Sequence, residues 1–160
     1  MERAPGFTPR HLIAITALIS GVVATYLHLW KLGLAGALAC GGSGGCAIVQ
    51  FSPWSWFLGV DVALIGAVGY ALILAVSLFG TFPRWQSDRR VTVALALLIV
   101  PAFLFTLRLK YYEFFVLRTF CPWCAVSATT ITLHMLLLGW DWRRTGGDTR
   151  GARGEERAPA

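Results

Sequence analysis

The chain has 160 residues, of which 56% are hydrophobic and only 14% charged, and its mean hydropathy is +0.64. Soluble domains carry about 25% charged residues, so a soluble globular domain is excluded. The net charge of +6 would suit a nucleic-acid ligand, but the basic residues flank apolar segments instead of forming a patch, which sets nucleic acid aside.

Leu12 to Trp30, Val62 to Pro83, Val91 to Leu107 and Thr119 to Trp140 contain no Asp, Glu, Lys or Arg. Each approaches the roughly 20 residues that cross a bilayer core as a helix. Four such stretches leave too little polar surface for a buried core in water. The expected fold is therefore all-α and integral to the membrane: a four-helix transmembrane bundle over residues 11–142, with a cytoplasmic tail at 1–10 and a disordered cytoplasmic tail at 143–160.

In chain order, the first helix is expected from about His11 to Lys31. Ala37-Leu38-Ala39-Cys40 is faintly similar to a lipoprotein cleavage site. The apolar stretch before it is longer than a signal core, and three more spans follow, so an uncleaved helix is expected. A glycine-rich loop, Ala39 to Cys46, comes next. Ala47 to Trp56 is apolar, interrupted by Pro53, too short to span and too greasy for open water. It is expected to lie along the membrane surface, the level that suits Trp54 and Trp56. The second helix should run from about Leu58 to Phe82, followed by a polar, basic turn from Pro83 to Arg90. The third begins near Val91 and continues to about Phe115. The fourth starts near Pro122, where proline suits a first helical turn. The end of the chain, rich in Gly, Arg and Glu, should be disordered.

Charge placement sets the orientation. With the N-terminus cytoplasmic, Arg3, Arg10, Arg84, Arg89, Arg90, Arg143, Arg144, Arg150, Arg153 and Arg157 lie inside, and Lys31, Arg108, Lys110 and Arg118 outside. That asymmetry is the positive-inside bias.

The four cysteines form two close pairs, Cys40 with Cys46 and Cys121 with Cys124. The expected topology puts both on the non-cytoplasmic face, where disulfides are tolerated. Cys121-Pro122-Trp123-Cys124 opens a helix, and the helix dipole and free N–H groups there favour a thiolate. Gly41, Gly42, Gly44 and Gly45 give the other pair backbone freedom, so a mobile pair could meet an external protein and then turn to a fixed one. Two inert structural disulfides, or a four-thiolate site for zinc or a soft metal such as mercury, are the alternatives. The loose, glycine-filled C-x5-C spacing favours redox chemistry over a metal knuckle.

The surrounding residues resemble the vitamin K epoxide reductase family. Cys40-Gly41-Gly42-Ser43-Gly44-Gly45-Cys46 followed by Ser52 is similar to the loop pair and serine of bacterial members. Thr25-Tyr26-Leu27-His28-Leu29 is similar to the end of their first helix. Phe57-Leu58-Gly59-Val60, with Gly66 and Tyr70, resembles the start of their second. Tyr112-Glu113-Phe114-Phe115-Val116-Leu117 leading to Phe120-Cys121-Pro122-Trp123-Cys124 is similar to the approach to their C-x-x-C. The order matters too: the DsbB type of quinone-linked disulfide generator carries its C-x-x-C in the first outer loop. Three positions depart from the pattern. Asp61 stands where bacterial relatives often have proline, and a helix cap is its expected role. Val62 and Ala128 stand where animal enzymes place a quinone-contacting asparagine and tyrosine, so epoxide reduction is not implied.

The resemblance implies a stand-alone thiol oxidoreductase of the bacterial inner membrane, with both termini cytoplasmic. Cys40 would exchange with a separate periplasmic thioredoxin-fold partner of the DsbA type, Cys46 would pass electrons to Cys121, and Cys124 would face ubiquinone or menaquinone. DsbA-type partners sit at roughly −120 mV, so a better acceptor, such as a membrane quinone, is required. Ser52 would bond near the quinone or hold the surface segment. Ala102, Phe105, Leu109 and Glu113 would line its pocket, although ordinary packing equally explains the first three and an ion pair with Lys110 or Arg118 explains Glu113. His28 and His134 read as packing residues. No metal is expected.

Overall fold

The computed structural model describes residues 8–37, 40 and 44–156, with side chains to residue 146. Expectations for the extreme N-terminus, for Gly41 and Gly42, and for the last residues fall outside that range. Helix α1 spans Pro9–Lys31, with Thr8 capping it through a mutual contact with His11 and proline at the first turn. The short helix α2, Gly45–Gln50, leads to a 3₁₀ turn at Pro53–Ser55. A two-stranded hairpin follows, β1 (Trp56–Phe57) against β2 (Val60–Asp61). Helix α3 is Val62–Phe79, α4 is Arg89–Tyr111, and α5 is Pro122–Glu156.

Among the described residues, four helices are long and apolar enough to span a membrane. Their outer faces are greasy: Leu97 and Leu136 are 71% and 69% exposed. Such a shell is untenable in water but natural in lipid. The protein is an integral membrane four-helix bundle, with the surface segment between its first two long helices.

Inside, α1 packs chiefly on α3, and α5 joins α4 and α1. Ile13, Ala17, Tyr70, Ile73, Leu95, Ile99 and Ile131 form the centre of the core. Small residues permit the closest approach. A Cβ on Gly21 would stand 3.4 Å from that of Tyr70, and one on Gly66 3.7 Å from that of Ala24, the small-residue contact that drives helix pairing in lipid.

Two local departures from expectation have physical causes. The hairpin shortens the second long helix, expected from Leu58, so that it starts at Val62. Leu58 and Gly59 both take positive φ, 52° and 79°, as a two-residue turn requires. The third long helix reaches Val116, as expected, its last turn being π-helical, Tyr112–Val116, a feature frequent near functional sites. Helix α5 continues past residue 143, where disorder was expected, because its next turn is anchored. Arg144 donates to Gln86 O (2.7 Å) and to Asp141 Oδ1 (3.1 Å).

That anchor belongs to a larger knot at the end of the bundle remote from the cysteines. Arg10, counted above as a tail charge, is fully buried within α1. Its Nε donates to Asp141, with Nε–Oδ2 at 3.0 Å. Its remaining nitrogens donate to the carbonyls of Gly80, Trp85 and Asp88 and to Thr92 Oγ1. One guanidinium thus fastens α1, α4, α5 and the connection between α3 and α4.

At the cysteine end, Asp61 plays the matching part. It caps α3 by accepting from Ala63 N (3.1 Å), takes a bond from His28 Nδ1 (2.7 Å), and pairs with Lys31. The expected cap is therefore observed, and His28 is a bonded latch between α1 and the hairpin. Burial pushes the Asp61 carboxyl up, but Lys31, His28 and the Ala63 N–H outweigh it and hold it below the usual carboxylate range. A carboxyl depressed by folding stabilises above its unfolded value, and that contribution is lost as pH falls through the folded one. Asp61→Asn should therefore be less stable than wild type at neutral pH, with the gap closing only below the ordinary value of 3.8. Unfolding in detergent across pH 2 to 7 (about the carboxylate range) reads this, and a gap that persists unchanged at the acid end would refute it.

Candidate functional site

The site lies where α2, the π-helical turn and the start of α5 meet. Cys40 and Cys46 are joined by a disulfide, with Cα atoms 5.9 Å apart. Cys46 is fully buried at the start of α2 and Cys40 half-buried. Of the glycines expected to confer mobility, two have specific tasks. Gly44 takes φ +64° before α2. Gly45 presses on the strand of chain leading to the second pair, where a Cβ would lie 2.4 Å from Phe120 O and 2.8 Å from Thr119 Oγ1. Only glycine permits that approach, and it seats the first cysteine pair directly against the approach to the second.

Cys121 and Cys124 carry free thiols. Cys121, fully buried, takes the position of an N-cap: its Sγ accepts from Cys124 N at 3.3 Å, where serine or threonine would use oxygen. The Cys124 thiol bonding to it holds Cys121 below the usual thiol range. Burial opposes this, the Cys124 N–H reinforces it, Glu113 opposes and Lys110 assists.

Cys124 has a different outlook. It lines a cavity of about 120 Å³ together with Gln50, Ser52, Trp54, Leu109 and Glu113. A larger cleft of about 400 Å³ adjoins it between α3 and α4, and Val62, Gly66, Thr106, Leu109 and Ser127 line both. Of the residues expected around the pocket, Ser52, Leu109 and Glu113 therefore stand beside Cys124, while Ala102 and Phe105 line the adjoining cleft. Val62, where animal enzymes have asparagine, is an apolar wall shared by the two.

Ser52 donates to Val49 O at 2.8 Å and accepts through its carbonyl from the backbone N–H and the hydroxyl of Ser55. Of its two expected tasks, holding the surface segment is the one its bonds perform. Trp54 fixes the same segment from above, stacked on Tyr112 with centroids 3.9 Å apart. Glu113 is buried, not solvent-facing. Its Oε2 pairs with Lys110 Nζ at 2.7 Å, and its Oε1 accepts from Cys121 N at 2.8 Å. The ion pair with Lys110 is as anticipated; the grip on the Cys121 backbone is not visible in sequence. His134 is buried against Thr16, Nε2 to Oγ1 2.8 Å, as a packing residue would be.

One residue of the site escaped sequence reasoning. Gln50 Nε2 lies 3.7 Å from Cys124 Sγ, and its only signal was an amide in a largely apolar surface segment.

A soft-metal carrier would use four free thiols as relay ligands, whereas two of them are joined here, and nothing in the site favours that reading. The arrangement is one oxidised and one reduced pair, packed together at a cavity in a membrane bundle, which is a setting for thiol–disulfide exchange. The sequence model of the vitamin K epoxide reductase family matches residues 11–138, a stretch that holds all four cysteines and most of each spanning segment. The chain belongs to the vitamin K epoxide reductase family and is a membrane thiol–disulfide oxidoreductase.

Proposed function

We propose that the protein re-oxidises a separate periplasmic thioredoxin-fold dithiol protein of the DsbA type and delivers the electrons to a membrane quinone, ubiquinone or menaquinone, thereby driving disulfide formation. The bundle sits in a bacterial inner membrane with both termini cytoplasmic and both cysteine pairs on the periplasmic face. The single observation that carries this reading is the placement of Cys124 in an apolar cavity at the same corner where the loop of Cys46 presses on the lead into Cys121.

The chemistry follows from the sulfur positions. A donor thiolate attacks Cys40, which is half-buried and so reachable, and Cys46 leaves as a thiolate. The donor's second thiol resolves the mixed disulfide and departs oxidised. Cys46 then attacks Cys121 within an oxidised C-x-x-C, freeing Cys124 at the cavity, and Cys40 attacks Cys46 in turn, re-forming the outer disulfide and freeing Cys121. The pattern of one closed outer pair and one open inner pair is the state reached after that transfer. Cys121 and Cys124 finally re-form their disulfide, passing two electrons to the quinone as substrate. The fit to a quinone rests on the chemistry of the lining: a thiol and a few polar groups in one small cavity, and an almost wholly apolar cleft beside it for a prenyl chain. Ser52, Leu109 and Glu113 serve the head-group end, and Ala102 and Phe105 the cleft.

The test exploits the order of exchange. With a reduced DsbA-type donor whose second cysteine is replaced by serine, the protein with its Cys40–Cys46 disulfide intact should accumulate a mixed disulfide, seen as a shifted band on a non-reducing gel and mapping to Cys40, because nothing is left to resolve it. An adduct that maps to Cys46, or no adduct at all, would contradict the assignment of Cys40 as the entry thiol.

A further inference from the structure

Most of the serine and threonine hydroxyls that line the cavity beside Cys124 are already engaged within the protein, and Tyr112 adds a phenol to the same wall. Thr106 donates to Ala102 O, Ser52 to Val49 O, and Ser55 to Gln50 O. Ser20 donates to Thr130, and Ser127 is engaged by Tyr70. A hydroxyl has one proton to give, so those that donate are spent on the protein itself.

Lys110 differs. Its ammonium has three N–H donors, and Glu113 takes one at 2.7 Å. Among the described residues that line the cavity, Lys110 is the one cation and Glu113 the one anion. The side chain is held in place: its Nζ lies 5.5 Å from the Phe114 ring centroid and 5.9 Å from that of Phe120. Glu113, through its second oxygen, is fixed to Cys121 N at 2.8 Å. Ammonium, carboxylate and the reducing pair thus form one continuous bonded corner.

Resting on the reading above, we infer that Lys110 is the catalytic acid of quinone reduction, giving a proton to the quinone oxygen, and that Glu113 positions it against the C-x-x-C pair. The balance closes without another reactant. Cys121 and Cys124 lose two electrons and two protons as two S–H bonds break and one S–S bond forms. The ring gains the two electrons, and its two oxygens gain the two protons. Lys110 hands over one of them and is recharged by a thiol proton collected through Glu113. The carboxylate also keeps the ammonium from being an unpaired charge beside an apolar cavity, which would be costly.

The experiment uses the full chain in detergent, pre-reduced and freed of reductant, mixed with ubiquinone-1 or menadione for one turnover. Lys110→Arg keeps the positive charge and the partner for Glu113 but gives up its proton far less readily. It should bind the quinone within about threefold of wild type by tryptophan quenching, yet form quinol about 100-fold more slowly or worse, the usual contribution of a positioned acid. Wild type should slow in deuterium oxide. Tyr112→Phe, which removes the other proton donor on that wall, should lose far less rate than Lys110→Arg, and exchange of Lys110→Arg with a thioredoxin-fold donor should be unchanged. Near-wild-type quinol formation in Lys110→Arg, or transfer of the loss to Tyr112→Phe, would overturn the inference alone. Absence of quinol formation by wild type would overturn it together with the function it rests on.

Discussion

Cys124→Ala should lower quinol formation by on the order of 10³-fold or more, the scale on which loss of a reacting nucleophile is felt, while leaving the bundle folded. The reason is positional. Cys124 is the sulfur that lines the cavity among the described residues, whereas Cys121 is fully buried at the helix cap. Cys121 can trade its bond with Cys124 but has no wall of the cavity from which to reach a substrate. Truncating a half-buried thiol removes little packing, so unfolding should move by about 1 kcal/mol or less, within the range of mild substitutions. The measurement is quinone absorbance in a single turnover, with thermal unfolding on the same preparation. A variant that keeps its rate but loses stability would mark the cysteines as structural staples.

The second large effect lies at the other end of the molecule and concerns stability. Arg10→Met should destabilise the fold by about 3–5 kcal/mol, because it strands a buried charge. Both side chains of the Arg10–Asp141 pair are fully buried, and removal of the guanidinium also leaves the carbonyls of Gly80, Trp85 and Asp88 without that donor. Asp141 would keep Arg144 and Thr92 as partners, which places the loss towards the lower end of that range. Replacing both, Arg10→Met with Asp141→Leu, should restore part of the loss, since two apolar groups cost less than one orphaned charge. Equilibrium unfolding of both variants in mixed micelles checks this. Additive losses in the double variant would show that the pair is not the unit that holds the knot.

What could be read from the chain alone follows from how strongly each feature is imposed. The four spans were legible because a bilayer forbids charge over a fixed length, and Leu12 to Trp30 or Thr119 to Trp140 has no other explanation. The cysteine pairs were legible because Cys121-Pro122-Trp123-Cys124 carries its chemistry in four consecutive positions. The hairpin at 56–61 was not. Leu58-Gly59 is a turn of only two residues, embedded in a segment apolar enough to pass for the start of a helix. Arg10 was misplaced for a related reason: positive-inside counting treats every arginine near a span as solvated, and burial of this one depends on carbonyls about 70 to 80 residues away. Gly45 was read as a source of freedom, and its actual constraint, the backbone at Phe120 pressing on it, exists only once the bundle has assembled. The cavity mixes both cases. Leu109 and Glu113 were expected at the pocket from the family resemblance, while Gln50 reached Cys124 through a surface segment whose path no periodicity specifies.

The central claim, that two cysteine pairs couple a dithiol partner to a quinone, is tested most directly by following both ends of the reaction at once. Purified protein would be given a reduced DsbA-type donor and a short-chain ubiquinone or menadione, with donor thiols and quinone absorbance recorded together. One quinone lost for each donor disulfide formed, with both signals stopped by Cys124→Ala, is the predicted result. Donor oxidation that proceeds without quinone loss, or no turnover of either quinone by well-folded protein across several donors, would contradict it.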